Sequence, residues 1–538
     1  MTAVGPAATR PSDPARSVSG DAEAVRQGGL RDRPADLGPR SAVGPALQPT
    51  LAELSRPGRG STKVPHPPRD ALAGIPAIHR RSEPLALPEL NEPEVIRHFV
   101  NLSRLNYSVD SGFYPLGSCS MKFNPKINEW AARLPGFAAL HPLAPDALAQ
   151  GTLELLWELE RWLVEISGMS AVSLQPAAGA QGELTGILMI RAYHQSRGDL
   201  QRSEVIVPDS SHGTNPATAS MAGFRTVTVA SDPRGEVDLD ALRVALGPRT
   251  AAVMLTNPST LGLFETRIEG LLEAVHRAGG LAYMDGANMN AVLGKFKPGQ
   301  AGFDVMHFNT HKTFSTPHGG GGPGAGPVAA NDRLAPFLPW PRVLREASGH
   351  FRLERAGERA TSIGRVRSHV GSVGVLVRAY AYLLAHGGEG LAQVSEDAVL
   401  AANYLRRRLA GTFEIPYEQP CKHEFVASAR SLRAETGVRT LDVAKRLIDH
   451  GYHPPTIYFP LIVDEGMLIE PTETESVETL DAFANALIAI VAEARTDPQL
   501  VRGAPHEAPL RRLDEATAAR QPDLRWRPMT GAEPTCPQ

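Results

Sequence analysis

The chain has 538 residues, 42% hydrophobic and 21% charged, with a formal net charge of -3. It is long enough for at least two sizeable cores and lacks the basic excess of a nucleic-acid binder. Its three scattered cysteines, Cys119, Cys421 and Cys536, exclude a disulfide framework or a four-cysteine zinc centre and suit a reducing, cytoplasmic setting.

No uncharged apolar run approaches the roughly 18 to 20 residues of a membrane span. The N-terminus has no apolar signal core, and Asp13, Asp21, Glu23, Asp32 and Asp36 oppose an acid-poor transit peptide. In chain order, residues 1–70 are rich in Pro, Gly, Ala, Arg and Ser without apolar periodicity. They read as a disordered extension, too polar to offset their ordering entropy. Residues 71–150 read as a Pro-punctuated arm that carries Tyr114-Pro115-Leu116-Gly117-Ser118-Cys119-Ser120-Met121-Lys122. Helical spacing of Leu155, Leu159, Trp162, Leu163 and Ile166 predicts a helix over 152–166 that stops at Gly168.

Across 151–340 short apolar runs alternate with helical segments. Runs at 205–207, 227–229, 252–255, 281–284 and 305–308 read as strands buried on both faces. Segments 240–246 and 268–278 read as helices, the second closed by Gly279-Gly280. This alternation predicts an α/β fold with right-handed crossovers and a mostly parallel sheet in a large domain. Residues 341–500 read as a smaller C-terminal α+β domain, with helices over 371–409, 440–450 and 477–494 and strands at 424–426 and 467–469. Residues 501–538 read as a loosely ordered tail.

Ligands of such sheets bind beyond the carboxyl ends of the strands, and the reactive side chains fall there. Only eight of the 55 basic residues are lysines, and arginine stays protonated, so few amines can serve as a nucleophile. Lys312 follows the run at 305–308 and precedes Gly319-Gly320-Gly321-Gly322, glycines that would let backbone approach a cofactor. It is a candidate to attack an aldehyde, with a surface strand-end lysine as the alternative. Asp285 ends the run at 281–284, where a carboxylate could pair with a protonated pyridine nitrogen or cap a loop. Ala287 would offer a small methyl to a flat ring. His212, after the first run, could stack on such a ring or simply form a turn. Ala178-Gly179-Ala180-Gln181-Gly182-Glu183 precedes a helix expected to begin near Glu183, and its free amides would suit a phosphate.

The stretches 115–122, 179–183, 212–217, 285–290, 311–314, 317–324 and 470–473 together resemble one family. It is the glycine cleavage system P-protein, glycine dehydrogenase (decarboxylating), in the form of a C-terminal half that occurs as a separate subunit 2. The resemblance covers roughly 90–480. It implies the fold type I architecture of pyridoxal 5'-phosphate enzymes, with Lys312 as the attachment point, Asp285 at the pyridine nitrogen and His212 stacked on the ring. Gly179 and Ala180 would serve the phosphate, and Ala287 would lie against the ring. Thr310 and His311 would help position the cofactor or merely pack the strand end, and His318 would gate a lipoyl arm or form a turn. Cys119 reads as a loop thiol rather than a catalytic one. The implied reaction is decarboxylation of glycine with transfer of the aminomethyl group to the lipoyl group of the H-protein. The implied partner is a homologous subunit 1, which supplies the missing first half in an α2β2 assembly; the segment before about residue 70 has no counterpart in the resemblance. Two other readings stand beside this one: another fold type I enzyme, an aminotransferase or amino-acid lyase, or a non-catalytic scaffold subunit.

Overall fold

The computed structural model describes residues 48–60, 68, 70–71, 73–83, 85, 87–319 and 324–525. Of the extension expected to be disordered over 1–70, residues 1–47, 61–67 and 69 lie outside the described residues, as do the glycines at 320–322 and the tail beyond 525 with Cys536. Within 48–60, Leu51–Leu54 forms one helical turn closed by a Thr50–Glu53 capping box.

Seven strands form the main sheet: β1 (Ala171–Ser173), β2 (Glu204–Pro208), β3 (Arg225–Val229), β4 (Thr250–Thr256), β5 (Leu281–Gly286), β6 (Val305–Phe308) and β7 (Val328–Ala330). Their order is β1-β7-β6-β5-β4-β2-β3. The five strands β2 to β6 pair in parallel, and β7 runs antiparallel to both β6 and β1. Alternation within the strands explains the layers. Ile206, Val253, Leu255, Met284 and Met306 point into one core, whereas Val205, Val207, Met254, Tyr283 and Val305 point into another on the opposite face. Burying such a side chain on either face contributes about 1.5–3 kcal/mol, so the central strands must be apolar throughout. β1 and β7, with three residues each, are too short to show a run and escaped the sequence pattern.

The connecting helices match their sequence signals closely. Gln150–Ser167 ends on Gly168 at φ 68°, and Ile268–Arg277 ends before Gly279 at φ 76°. Asp238 caps Leu239–Ala245 by accepting from the amides of Asp240 and Ala241. One helix departs from expectation: it starts at Gly179, not near Glu183. Glycines read as loop in sequence, but here the absence of Cβ atoms is what lets the first turns press onto the sheet.

A hairpin of β8 (Val343–Arg345) and β9 (Phe351–Leu353) leads to the long helix Val373–Leu409, interrupted at Gly387. A second sheet follows, β10 (Phe425–Ser428), β11 (Thr456–Ile457) and β12 (Gly466–Ile469), in the antiparallel order β10-β12-β11. The helices Thr440–Asp449 and Val477–Thr496 cover it and enclose its own core around Leu447, Phe483, Leu487 and Ile490.

Candidate active site

The crevice lies where β5 and β6 end. Asp285 is the penultimate residue of β5, paired in register with His307 of β6. After β6 the chain makes a single helical turn, Thr310–Thr313, which carries Lys312. Lys312 is 7% exposed, yet its amine has no hydrogen bond or ion pair among the described residues. The other described lysines are engaged. Lys122, Lys126, Lys295, Lys297 and Lys445 each pair with a carboxylate, and Lys422 lies over the Phe264 ring. Lys122 is the nearest rival, since its amine reaches the Thr313 carbonyl at 3.3 Å. It is also buried, but Glu473 holds it at 2.7 Å.

Asp285 is fully hydrogen-bonded. Oδ1 accepts from the Ala287 amide at 2.9 Å and Oδ2 from Asn215 Nδ2 at 2.9 Å. Burial pushes its pKa up, but His307, the Asn215 and Ala287 donors and Lys312 outweigh that and hold the carboxyl below its ordinary value. Glu183 shares the same Asn215 amide at 3.1 Å and accepts from Thr214 and Thr218. Burial, and then the Asp285 charge, push Glu183 up to about 8. Of the two neighbouring carboxyls, Glu183 therefore keeps its proton and Asp285 carries the charge.

His212 is partly buried; its Nδ1 accepts from the Thr214 amide, and its ring meets Phe459 edge-on at 5.8 Å. Burial and the Lys312 charge hold it below its ordinary pKa, so it is a neutral, flat ring. His311 packs edge-on against His318, 4.8 Å between centroids, and burial, His318 and Lys312 bring it down to about 3. The Thr310 hydroxyl is committed to the turn, donating to the Ala325 carbonyl and accepting from Thr316. Ala287 is buried beside Asp285.

The helix Gly179–Ser196 has no side-chain cap, and among the described residues no acceptor takes the amides of Gly179, Ala180 and Gln181. A Cβ on Gly179 would overlap Asn309 Oδ1, and one on Gly182 would lie 2.7 Å from the Gly326 carbonyl. These glycines bring free amides down onto the turn before Lys312, an arrangement suited to an anion. A free buried amine, an ionised carboxylate, a neutral imidazole and an uncapped helix start fit a pyridoxal phosphate ring and its phosphate.

The sequence assigns no role to four side chains here: Asn215 and Glu183, which lie within matched stretches, and Tyr283 and His307. Tyr283 and His307 lie inside apolar runs, where they read as core. A second buried group faces the crevice from the small sheet. Glu424 Oε2 accepts from the Ser118 amide at 2.6 Å, and Glu470 accepts from both the amide and the hydroxyl of Ser120. His423 lies 3.6 Å from Glu424 and 3.9 Å from Glu470. Between the two tethers sits Cys119, whose thiol burial pushes up to about 11 despite Lys312.

Two family models match the chain: the glycine dehydrogenase C-terminal domain over residues 394–507 and aminotransferase class-V over 187–322. A probable glycine dehydrogenase (decarboxylating) subunit 2 from Desulforamulus reducens is 55% identical over 89% of this chain and 99% of its own length. Its namesake from Pyrococcus horikoshii is 54% identical over 89% and 96%. Among solved structures, an inhibitor-bound glycine decarboxylase (P-protein) of the glycine cleavage system superposes with a TM-score of 0.66 at 23% identity, covering 78% of this chain and 94% of that one. A Lactobacillus brevis glutamate decarboxylase reaches 0.60 at 14% identity, over 78% and 96%. These two likenesses carry the fold, which is that of fold type I enzymes.

Proposed function

Because the chain belongs to the family of glycine dehydrogenase (decarboxylating) subunit 2, we propose that it decarboxylates glycine at Lys312 and delivers the aminomethyl group to the lipoyl group of the H-protein. The observation that carries this reading is the free, buried amine of Lys312 opposite an ionised Asp285, in a chain whose other described lysines are engaged.

Pyridoxal phosphate, when bound, supplies the electron sink that takes up the electron pair left by departing carbon dioxide. The protein's own groups would do the rest. Lys312 would hold the cofactor through its free amine and leave room beside it for the amine of glycine. Asp285 holds a proton on the pyridine nitrogen, and Glu183 stays neutral, so one negative charge faces that nitrogen. His212 covers the ring, the amides of Gly179 and Ala180 hold the phosphate, and Ala287 packs beside it. Thr310 and His311 keep the Lys312 turn in place. Residues 151–340 would thus form the cofactor-binding lobe and 341–500 a lobe that closes over it.

The reading includes a partner subunit 1, in an α2β2 assembly in the cytoplasm. Large apolar side chains stand exposed along the arm: Ile96, Phe99 and Val100 on the helix Glu92–Leu105, then Phe123, Ile127 and Trp130. Such a grouping marks a surface meant to be covered. The test is exchange of labelled bicarbonate into the glycine carboxyl, with lipoylated carrier and partner subunit, after borohydride mapping of the attachment site. Cofactor trapped on Lys312 with exchange that needs the partner supports the reading. Trapping elsewhere, or full exchange by the chain alone, refutes the corresponding part.

A further inference from the structure

The face of β5 and β6 that carries Asp285 also carries Tyr283 two residues earlier and His307 opposite. The Tyr283 hydroxyl lies 2.7 Å from His307 Nδ1, and His307 Nε2 lies 3.4 Å from Asp285 Oδ1, an approach without hydrogen-bond geometry, with the Asn309 side chain as a further neighbour. Tyr283 and His307 are fully buried. Room for them is made by the overlying helix. A Cβ on Gly182 would come 2.9 Å from His307 Cβ, and one on Gly186 would overlap the Tyr283 ring. An ordinary helix with side chains at those two positions could not lie here with the pair in place.

We infer that Tyr283 and His307 form a positioning relay that fixes the ring-nitrogen carboxylate, Tyr283 setting the tautomer in which His307 Nε2–H faces Asp285. A tyrosine hydroxyl that donates to Nδ1 leaves the ring proton on Nε2, the nitrogen aimed at the carboxylate. The groups facing His307 are Tyr283 and Asp285 from β5, Glu183 from the overlying helix, and Asn309 and Lys312 from the segment after β6. Burial keeps Tyr283 protonated and His307 neutral, as the relay requires. Asp285 is thereby aimed from the Oδ1 side, while Oδ2 keeps its Asn215 donor. Removing the tyrosine hydroxyl frees His307 to move its proton to Nδ1 and present a lone pair to the carboxylate.

The inference rests on the placement of the cofactor at Lys312, and the test separates the two. Cofactor affinity is measured by titrating the full-length apoprotein, with its partner subunit, for Tyr283→Phe, Asp285→Asn and the double variant. Tyr283→Phe is expected to weaken pyridoxal phosphate binding about 10-fold, the upper end for one neutral hydrogen bond, and to shift the pH at which the visible band changes. In the Asp285→Asn background the same change is expected to do less than 2-fold, since the relay then has no carboxylate to aim. His307→Gln places an amide near the Nε2 position, so in that variant Tyr283→Phe is expected to lose its effect. An equal loss in both backgrounds, or none in either, overturns the relay while cofactor on Lys312 leaves the functional reading standing. Borohydride trapping on another lysine overturns both.

Discussion

Two buried clusters, each of two carboxyls and one imidazole, feel the charge of Lys312. In the main sheet Glu183, Asp285 and His307 receive donors from Asn215, Thr214, Thr218, the Ala287 amide and Tyr283. Beside the small sheet, both nitrogens of His423 and one oxygen of Glu424 have no hydrogen-bond partner among the described residues. The neighbouring charges and donors together decide which carboxyl ionises. Asp285 stays ionised despite full burial, whereas burial and then Glu470 push Glu424 well above the ordinary carboxyl range. The first cluster is built to present a negative charge to a ring nitrogen. The second grips the backbone of residues 118–120 with acids, one of which keeps its proton.

Lys312 is the cation that acts on both clusters, so its removal is the largest expected perturbation. Lys312→Ala is expected to abolish borohydride-stable cofactor attachment and glycine exchange while the far-ultraviolet dichroism stays native. Next comes Asp285→Asn, which keeps the shape but not the charge. Cofactor is expected to remain attached, with exchange reduced about 100-fold or more, as when one charge-stabilising group is lost. Near-normal exchange at full occupancy would erase the distinction between the clusters.

Glu183→Gln sharpens the comparison through pH. The carboxyl of Glu183 moves from an ordinary 4.5 to about 8 on folding. A raised folded-state value means the folded form binds the proton more tightly. Its stabilising contribution is then full below about 4.5 and is lost as pH rises towards 8. Wild-type thermal stability should therefore fall more steeply over that window than the variant's, measured as melting temperature against pH. The smallest effect is expected at Cys119. With its thiol pushed up to about 11, almost no thiolate exists at neutral pH. Cys119→Ser should leave exchange within about 2-fold of wild type, and wild-type Cys119 should alkylate slowly with iodoacetamide.

The contrast also shows what a sequence can disclose. Strand ends announce themselves through apolar runs, so Asp285 and Lys312 were legible as positions, and the family motifs supplied their chemistry. Partnerships were not. Ser118 and Glu424 are 306 residues apart, and Ser120 and Glu470 are 350 apart; no local pattern encodes such a pairing. His307 and Tyr283 were invisible for the opposite reason. They sit within apolar strands, where an imidazole or phenol looks like filler, and only the glycines at 182 and 186 reveal that the helix above them was cut to fit.

The helix Val373–Leu409 ties the two sheets into one mechanical object. Leu376, Leu383, Leu391 and Val394 belong to the core of the main sheet, and Ala402, Leu405 and Leu409 belong to the core of the small one. The stretch after Gly387 is a single rod of 22 residues anchored at both ends. Neither sheet can melt without stripping half of that rod of its packing, so heat loosens both together, and calorimetry should record one shared endotherm in place of two.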